Sequence, residues 1–298
     1  MPATTANSIT IHYDDHGDPS HPVVLLVMGL GAQMTLWPME LVEALVARGF
    51  RVIRYDNRDI GLSHKFDGAK HPGILKMVIW SKLGLRIKSP YSLSDMAADG
   101  IGLLDALGID RAHVVGASMG GMIVQTMAIE HPERLLTMTS IMSTTGHRKL
   151  PQATPEAMKA LTTRPKSMDE EVLVAHGMHL WRTIGSPAYP LSDERLRADV
   201  LGAIRRSTYP QGLPRQLSAI IADGDRRERL KRVSTPTLVI HGEDDPLVPL
   251  PGGEDTVAHI PGAKLTTFPG MGHDLPLELA EPMADAIAEH ARGAAVAA

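Results

Sequence analysis

The sequence predicts an α/β fold: a mostly parallel sheet covered by helices on both faces, with a helical cap inserted in the second half. Three observations predict it. Short apolar runs of strand length alternate with helical patterns over residues 1–143. Strand signals then vanish over residues 144–232, where Pro and charge punctuate short helical patterns. The alternation resumes over residues 233–298. The expected organisation is therefore a core in two parts, 1–143 and 233–298, with a cap at 144–232 between them.

The elements follow in order. Ile9, Ile11 and Tyr13 alternate with polar residues and predict an exposed strand. Residues 14–22, rich in Asp, Gly and Pro, predict a turn. Residues 23–28 form a continuous apolar run, as a strand buried on both faces requires. Leu41, Leu45 and Val46 predict a helix ending at Gly49, and residues 51–55 a further strand. A polar exposed loop is expected at residues 65–72, and the apolar stretch 74–85 reads as a helix near a pocket mouth or a partner surface. Residues 96–107 predict a helix, 112–116 a strand, 119–130 a helix stopped before Pro132, and 135–142 a strand. In the cap, residues 155–161, 170–181 and 193–205 predict helices. Strands at 237–241 and 263–268 and a helix from about 276 to 292 complete the chain.

Composition removes several function classes. A formal net charge of -4 implies no basic face, so nucleic acid is a poor partner. There are 0 cysteines, which removes disulfides, thiolate metal sites and a cysteine nucleophile. No basic stretch followed by an apolar one opens the chain, and no apolar run reaches the ~20 residues of a membrane span. A cytoplasmic protein without a membrane span is the expectation. Nothing in the sequence speaks to oligomeric state. His176 and His179 could approach a metal, but no third ligand stands at a sensible spacing, so neither metal nor cofactor is expected.

The chemistry is carried by Gly116-Ala-Ser118-Met-Gly120, a G-x-S-x-G pattern placed where a strand ends and a helix begins. Such a strand–turn–helix elbow lifts a serine hydroxyl above the sheet edge. Close approach of strand and helix requires the small residues Gly116, Gly120 and Gly121. A serine hydroxyl is a weak nucleophile until a base takes its proton, and that base needs an orienting carboxylate. In this arrangement the partners follow in the order serine, acid, histidine. After the strand at 237–241, Glu243, Asp244 and Asp245 compete for the acid. Asp245 is favoured, because Pro246 and the apolar Leu247-Val248 turn the chain inward from it. Of the 14 histidines, His273 alone lies in a Gly/Pro loop between the last strand and the last helix. His113 and His241 lie in strands and read as core residues or as supports of the site residues. Two backbone amides should face the developing oxyanion: Met119, after the nucleophile, and Leu30, in the Met28-Gly-Leu-Gly31 loop.

These motifs resemble landmarks of the α/β-hydrolase superfamily in their usual order: Arg54-Tyr-Asp56-Asn-Arg58-Asp-Ile-Gly61-Leu-Ser63, the elbow, His241-Gly-Glu-Asp-Asp-Pro-Leu-Val-Pro249 and Pro269-Gly-Met-Gly-His273. Val27-Met-Gly29, Asp110-Arg-Ala-His-Val-Val-Gly116 and Ile260-Pro-Gly-Ala-Lys-Leu265 resemble its aclacinomycin methylesterase-like branch. The resemblance implies an ester-cleaving enzyme with a helical cap and no cofactor, its nucleophile at Ser118, acid at Asp245 and base at His273. Met28 stands where many members of the superfamily have His, and the methylesterase-like branch shares that departure. Residues 144–232 carry no motif of the branch, so no natural substrate is implied. Arg58, near Asp56 and Ser63, is expected to make structural hydrogen bonds.

A serine carboxylesterase acting on small to medium esters is the leading reading. A lactonase, a carbon–carbon bond hydrolase or a perhydrolase would use the same triad. A ligand receptor with little turnover stands as a further alternative. Peptidase activity would want an anchor for a free amine. Asp169-Glu170-Glu171 could pose as one, but acids at a helix start complement its dipole.

Overall fold

The computed structural model describes residues 1–73, 76–77, 79–80 and 87–297. The apolar stretch at 74–85 lies largely outside the described residues.

The sheet is built from β1 (Ala3–Ala6), β2 (Ile9–His16), β3 (Val23–Val27), β4 (Arg51–Tyr55), β5 (Ala112–Ala117), β6 (Leu135–Ile141), β7 (Thr237–Gly242) and β8 (Lys264–Phe268). Their spatial order is β1-β2-β4-β3-β5-β6-β7-β8. β2 pairs antiparallel with β1 and β4, and the pairings from β4 to β8 are parallel. β3 lies between β4 and β5, so the chain leaves its carboxyl end in one direction and later returns on the other side. Such a switch point opens a crevice beyond the strand ends, where ligands of parallel sheets bind.

The apolar run of β3 is explained by this position. Side chains alternate between faces, so Val24 and Leu26 pack with α1 (Met39–Ala47) and the C-terminal helix, while Leu25 and Val27 enter the opposite cluster. That opposite cluster holds α2 (Leu93–Ala106) and α3 (Met119–Glu130) through Leu93, Leu104, Ile123 and Val124. α2 starts earlier than its apolar stripe predicts. Ser92 accepts from the Asp95 amide and the Asp95 carboxylate accepts from the Ser92 amide, a reciprocal cap that satisfies two helix-end donors. β2 also runs further than expected, to His16, because its outer half pairs with β4. The loop at 65–72 is less exposed than its polarity predicts. The Lys65 ammonium donates to three carbonyls, those of Ile60, Gly61 and Ser63, and Phe66 packs on the core.

Between β6 and β7 run α4 (Pro155–Thr162), α5 (Glu170–Ile184), α6 (Asp193–Arg206), α7 (Gly212–Asp223) and the short α8 (Arg227–Leu230). α9 (Pro251–His259) and α10 (Ala280–Ala297) follow. α7 and α9 are absent from the sequence expectation; Gly212 and Pro214 stand in the first turn of one, and Pro251 with two glycines in the first turn of the other. Each proline sits in the first turn, where its missing N–H costs nothing. Val174, Leu196 and Val200 give α5 and α6 their own small core. Glu170 and Glu171 pair across it with Arg205 and Arg197. No helix among the described residues is long and apolar enough to cross a membrane.

One core histidine makes stability depend on acid. His113 in β5 is buried, bonded through Nδ1 to Thr137 Oγ1 at 2.8 Å and edge-on to Phe50. Burial pushes its pKa down to about 4. The folded protein therefore holds His113 neutral while the unfolded chain takes up a proton below about pH 6.5. Stability is full above that value and falls as pH drops towards 4, by up to about 3 kcal/mol. We expect His113→Asn to flatten the dependence of denaturant-measured stability on pH between 4 and 6.5 by about one proton. Identical slopes in the two proteins would refute the assignment.

Candidate active site

Ser118 sits at the switch point, between the end of β5 and the first turn of α3. Its backbone has φ 56° and ψ -117°, a region that costs of order 1–3 kcal/mol for a residue with a Cβ. The surroundings hold it there. The Ser118 amide donates to the Ile141 carbonyl at 2.9 Å, and the Ser143 hydroxyl donates to the Ser118 carbonyl at 2.8 Å. The glycines of the elbow are obligatory by contact: a Cβ at Gly116 would strike the Gly120 carbonyl, and one at Gly120 the Val27 carbonyl. Strand and helix could not approach this closely with anything larger.

The half-buried Ser118 hydroxyl meets His273, whose Nε2 lies 2.9 Å from Oγ. His273 Nδ1 lies 2.7 Å from Asp245 Oδ2. An ionised carboxylate only accepts, so Nδ1 carries the proton and Nε2 is free to accept from the serine. The other Asp245 oxygen, Oδ1, accepts from the Leu247 and Val248 amides, each at 2.8 Å. Both Asp245 and His273 are buried. The turn at Pro246 aims these two amides at the carboxylate. The competing acids are exposed and occupied elsewhere: Glu243 accepts from Thr267 and Asp244 from the Gly270 amide.

His273 is held by the helical insertion as well as by its own loop. Its amide donates to the Ile184 carbonyl at 2.7 Å. The neighbouring Asp274 carboxylate accepts from the Ser186 hydroxyl, which in turn accepts from the Gly272 amide. Burial raises the Asp274 carboxyl above the usual range, against the opposing effect of the Ser186 bond. His241, expected as a core residue or a support of the site residues, is fully buried beside the acid. Its Nε2 is 2.7 Å from the Val248 carbonyl and 3.8 Å from Asp245 Oδ2. Burial holds it below the ordinary histidine range, so it stays neutral and clasps the loop that carries Asp245.

The loop after β3 lies over the elbow. A Cβ at Gly29 would stand 3.1 Å from Ser118 Cβ. Among the described residues no protein acceptor takes the amide of Leu30 or of Met119, the latter at the open N-terminus of α3. Asn57 donates to the Met28 carbonyl at 2.8 Å, and Gln216 of α7 accepts from the Gly31 amide at 2.8 Å. Sequence reasoning missed Gln216, since a lone glutamine in an insertion gives no local signal.

Arg58 is structural, though its partner is Asp99, with bonds of 2.6 Å from both Nε and Nη2, and not Asp56 or Ser63. Asp56 instead accepts from the Met34 and Leu62 amides and pairs with Arg206, while Asp59 pairs with Arg215. His176 and His179 gather no third ligand: among the described residues no group of metal-binding side chains forms.

Comparison with known proteins identifies the family of the fold. The family model for the alpha/beta hydrolase fold matches residues 22–279. Rhodomycin D methylesterase DnrP of Streptomyces peucetius is 32% identical over 98% of both chains, so the likeness runs through the insertion as well as the core. A 2-hydroxy-6-oxononadienedioate/2-hydroxy-6-oxononatrienedioate hydrolase of Paraburkholderia xenovorans is 29% identical over 92% of this chain and 87% of its own. In fold, a meta-cleavage product hydrolase from Pseudomonas fluorescens superposes with a TM-score of 0.78, at 22% identity, over 99% of this chain and 98% of that one.

Proposed function

Since the chain belongs to the α/β-hydrolase family, we propose that it hydrolyses carboxylic esters through an acyl-enzyme on Ser118, His273 and Asp245. The observation that carries the reading is the continuous hydrogen-bond chain Asp245–His273–Ser118, of 2.7 and 2.9 Å, beyond the carboxyl end of β5. Likeness to a methylesterase over 98% of both chains supports the choice of ester over other acyl substrates.

In the first half-reaction Ser118 Oγ attacks the ester carbonyl as His273 Nε2 takes its proton. The carbonyl electrons move onto oxygen, where the Leu30 and Met119 amides stabilise them. Such donors contribute roughly 3–4 kcal/mol each. The tetrahedral species collapses, and His273 returns the proton to the departing alkoxide. In the second half, His273 takes a proton from water, the hydroxide attacks the acyl-enzyme, and the acid leaves as Ser118 regains its proton. Asp245 keeps the imidazole in the required tautomer and stabilises its cation throughout. Protein groups, substrate and water complete every step.

Residues 144–232 form the cap in this reading and shape the acyl and alcohol sites. An uncharged substrate fits the electrostatics. Arg58, Arg206 and Arg215, in and beside the loops that flank the site, are each committed to a buried carboxylate. Cleavage of a carbon–carbon bond on the same triad is the second reading, favoured by the likeness to a relative named for a dienedioate.

The test is hydrolysis of p-nitrophenyl and phenyl esters of each acid from acetate to octanoate, with methanol as a competing acceptor. Multiple turnover at about 1–10³ s⁻¹ on short or medium chains is expected. The acid-to-methyl-ester ratio should not depend on the leaving group, because one acyl-enzyme partitions between water and methanol. A single stoichiometric release without turnover would overturn the reading in favour of a receptor.

A further inference from the structure

We infer that Gln216 is a positioning residue for the oxyanion hole, an inference that rests on the proposed acyl-enzyme mechanism. Gln216 lies on α7, inside the helical insertion, and is fully buried. Its side-chain amide is used at both ends. Oε1 accepts from the Gly31 amide at 2.8 Å, and Nε2 donates to the Arg58 carbonyl at 2.8 Å. The first bond engages the peptide immediately after Leu30, the residue whose own amide is to face the oxyanion.

The loop is thus gripped on either side of the donor. Asn57 holds the Met28 carbonyl before it and Gln216 the Gly31 amide after it. Leu213, one turn earlier on α7, stands so close that a Cβ at Gly31 would lie 2.9 Å from its Cδ1. Both grips engage backbone groups that a two-residue turn cannot satisfy within itself, and they leave the Leu30 amide without a protein acceptor. A hydrogen-bond donor aids an oxyanion only when it is already aimed, and a displacement of about 1 Å can cost about 100-fold.

The source of the clamp has a consequence for the insertion. Arg215, next to Gln216, forms a two-bond pair with buried Asp59 at 2.8 and 2.9 Å. Arg206 reaches buried Asp56 at 2.7 Å, and Gln33 donates to the Ala203 and Ser207 carbonyls. This part of the insertion is seated on the loops after β3 and β4 by buried charges, each costly to leave unpaired. Seating α7 and aiming the Leu30 amide are therefore one event, and α7 is a fixed wall of the site.

The experiment compares wild type, Ser118→Ala and Gln216→Met, which matches glutamine in length but makes neither bond. Active sites are counted by stoichiometric labelling with a fluorophosphonate. Then kcat per labelled site and KM are measured on p-nitrophenyl butyrate, with the inhibition constant of an aryl trifluoromethyl ketone, whose serine adduct carries the oxyanion. We expect Gln216→Met to lose about 10–100-fold in kcat, with KM within about threefold and inhibition weakened by the same factor as kcat. Should that variant fail to fold, Gln216→Asn, shortened by one methylene and unable to reach Gly31, takes its place with the same expectation. A kcat per labelled site and an inhibition constant both within twofold of wild type would overturn the inference, even if thermal stability falls. Failure of the underlying mechanism looks different: wild type would go unlabelled, or Ser118→Ala would label equally.

Discussion

Ser118→Ala is expected to lower kcat/KM for ester hydrolysis by about 10⁴–10⁶-fold, with stability changed by no more than about 1 kcal/mol. The asymmetry follows from the contacts. The hydroxyl oxygen bonds to His273 Nε2. The backbone that makes the elbow costly is held by the Ile141 and Ser143 bonds, which engage main-chain atoms that alanine also has. Alanine keeps the Cβ and hence the same backbone strain at φ 56°. Residual catalysis should come from the oxyanion donors and binding alone, so KM should move little while kcat collapses. The checks are steady-state kinetics and guanidinium unfolding on the same preparations. A loss smaller than about tenfold would exclude Ser118 as the nucleophile.

Asp245→Asn should cost about 10⁴-fold, although the two side chains are nearly isosteric. Oδ1 of Asp245 accepts from the Leu247 and Val248 amides, so an asparagine there must place its carbonyl oxygen on that side. Its NH2 then faces His273 Nδ1 and donates to it. The imidazole is forced to carry its proton on Nε2, towards Ser118, where it can no longer accept the serine proton. The loss is thus one of tautomer and not of packing, and the variant should unfold near the wild-type denaturant midpoint. Asp274→Asn is the control. Its carboxylate bonds to Ser186 and not to the His273 ring, so its effect should stay within about tenfold. A reversal of the two effects would move the acid to Asp274.

The elements nearest the chemistry were the most legible in the sequence. β4 and α3 fall where the apolar patterns predict them, because strand burial on two faces and a helix ended before Pro132 are local signals. Two unexpected helices begin with proline in their first turns. Pro214 and Pro251 occupy first-turn positions, and the same residue type ends helices elsewhere. β2 runs past the turn that Asp14 and Asp15 predict, because Arg54 and Arg51 on the paired strand neutralise them. The structural role of Arg58 is legible in the sequence, yet its partner Asp99 is 41 positions away and no spacing rule reaches it.

The sequence by itself determined the fold class, the elbow at Ser118 and the order of its partners, since each is written in contiguous residues: small residues where backbones touch, apolar runs where strands are buried, a carboxylate and a histidine just past strand ends. Tertiary structure decided which carboxylate of three meets the imidazole, which carbonyls hold His273, and that Gln216 from the insertion reaches the Gly31 amide across 185 positions. The reason is physical. Propensity, capping and periodicity act over a few residues along the chain. The aim of a hydrogen-bond donor or the tautomer of a ring is set by groups that become neighbours only when the sheet closes and the insertion is seated on it.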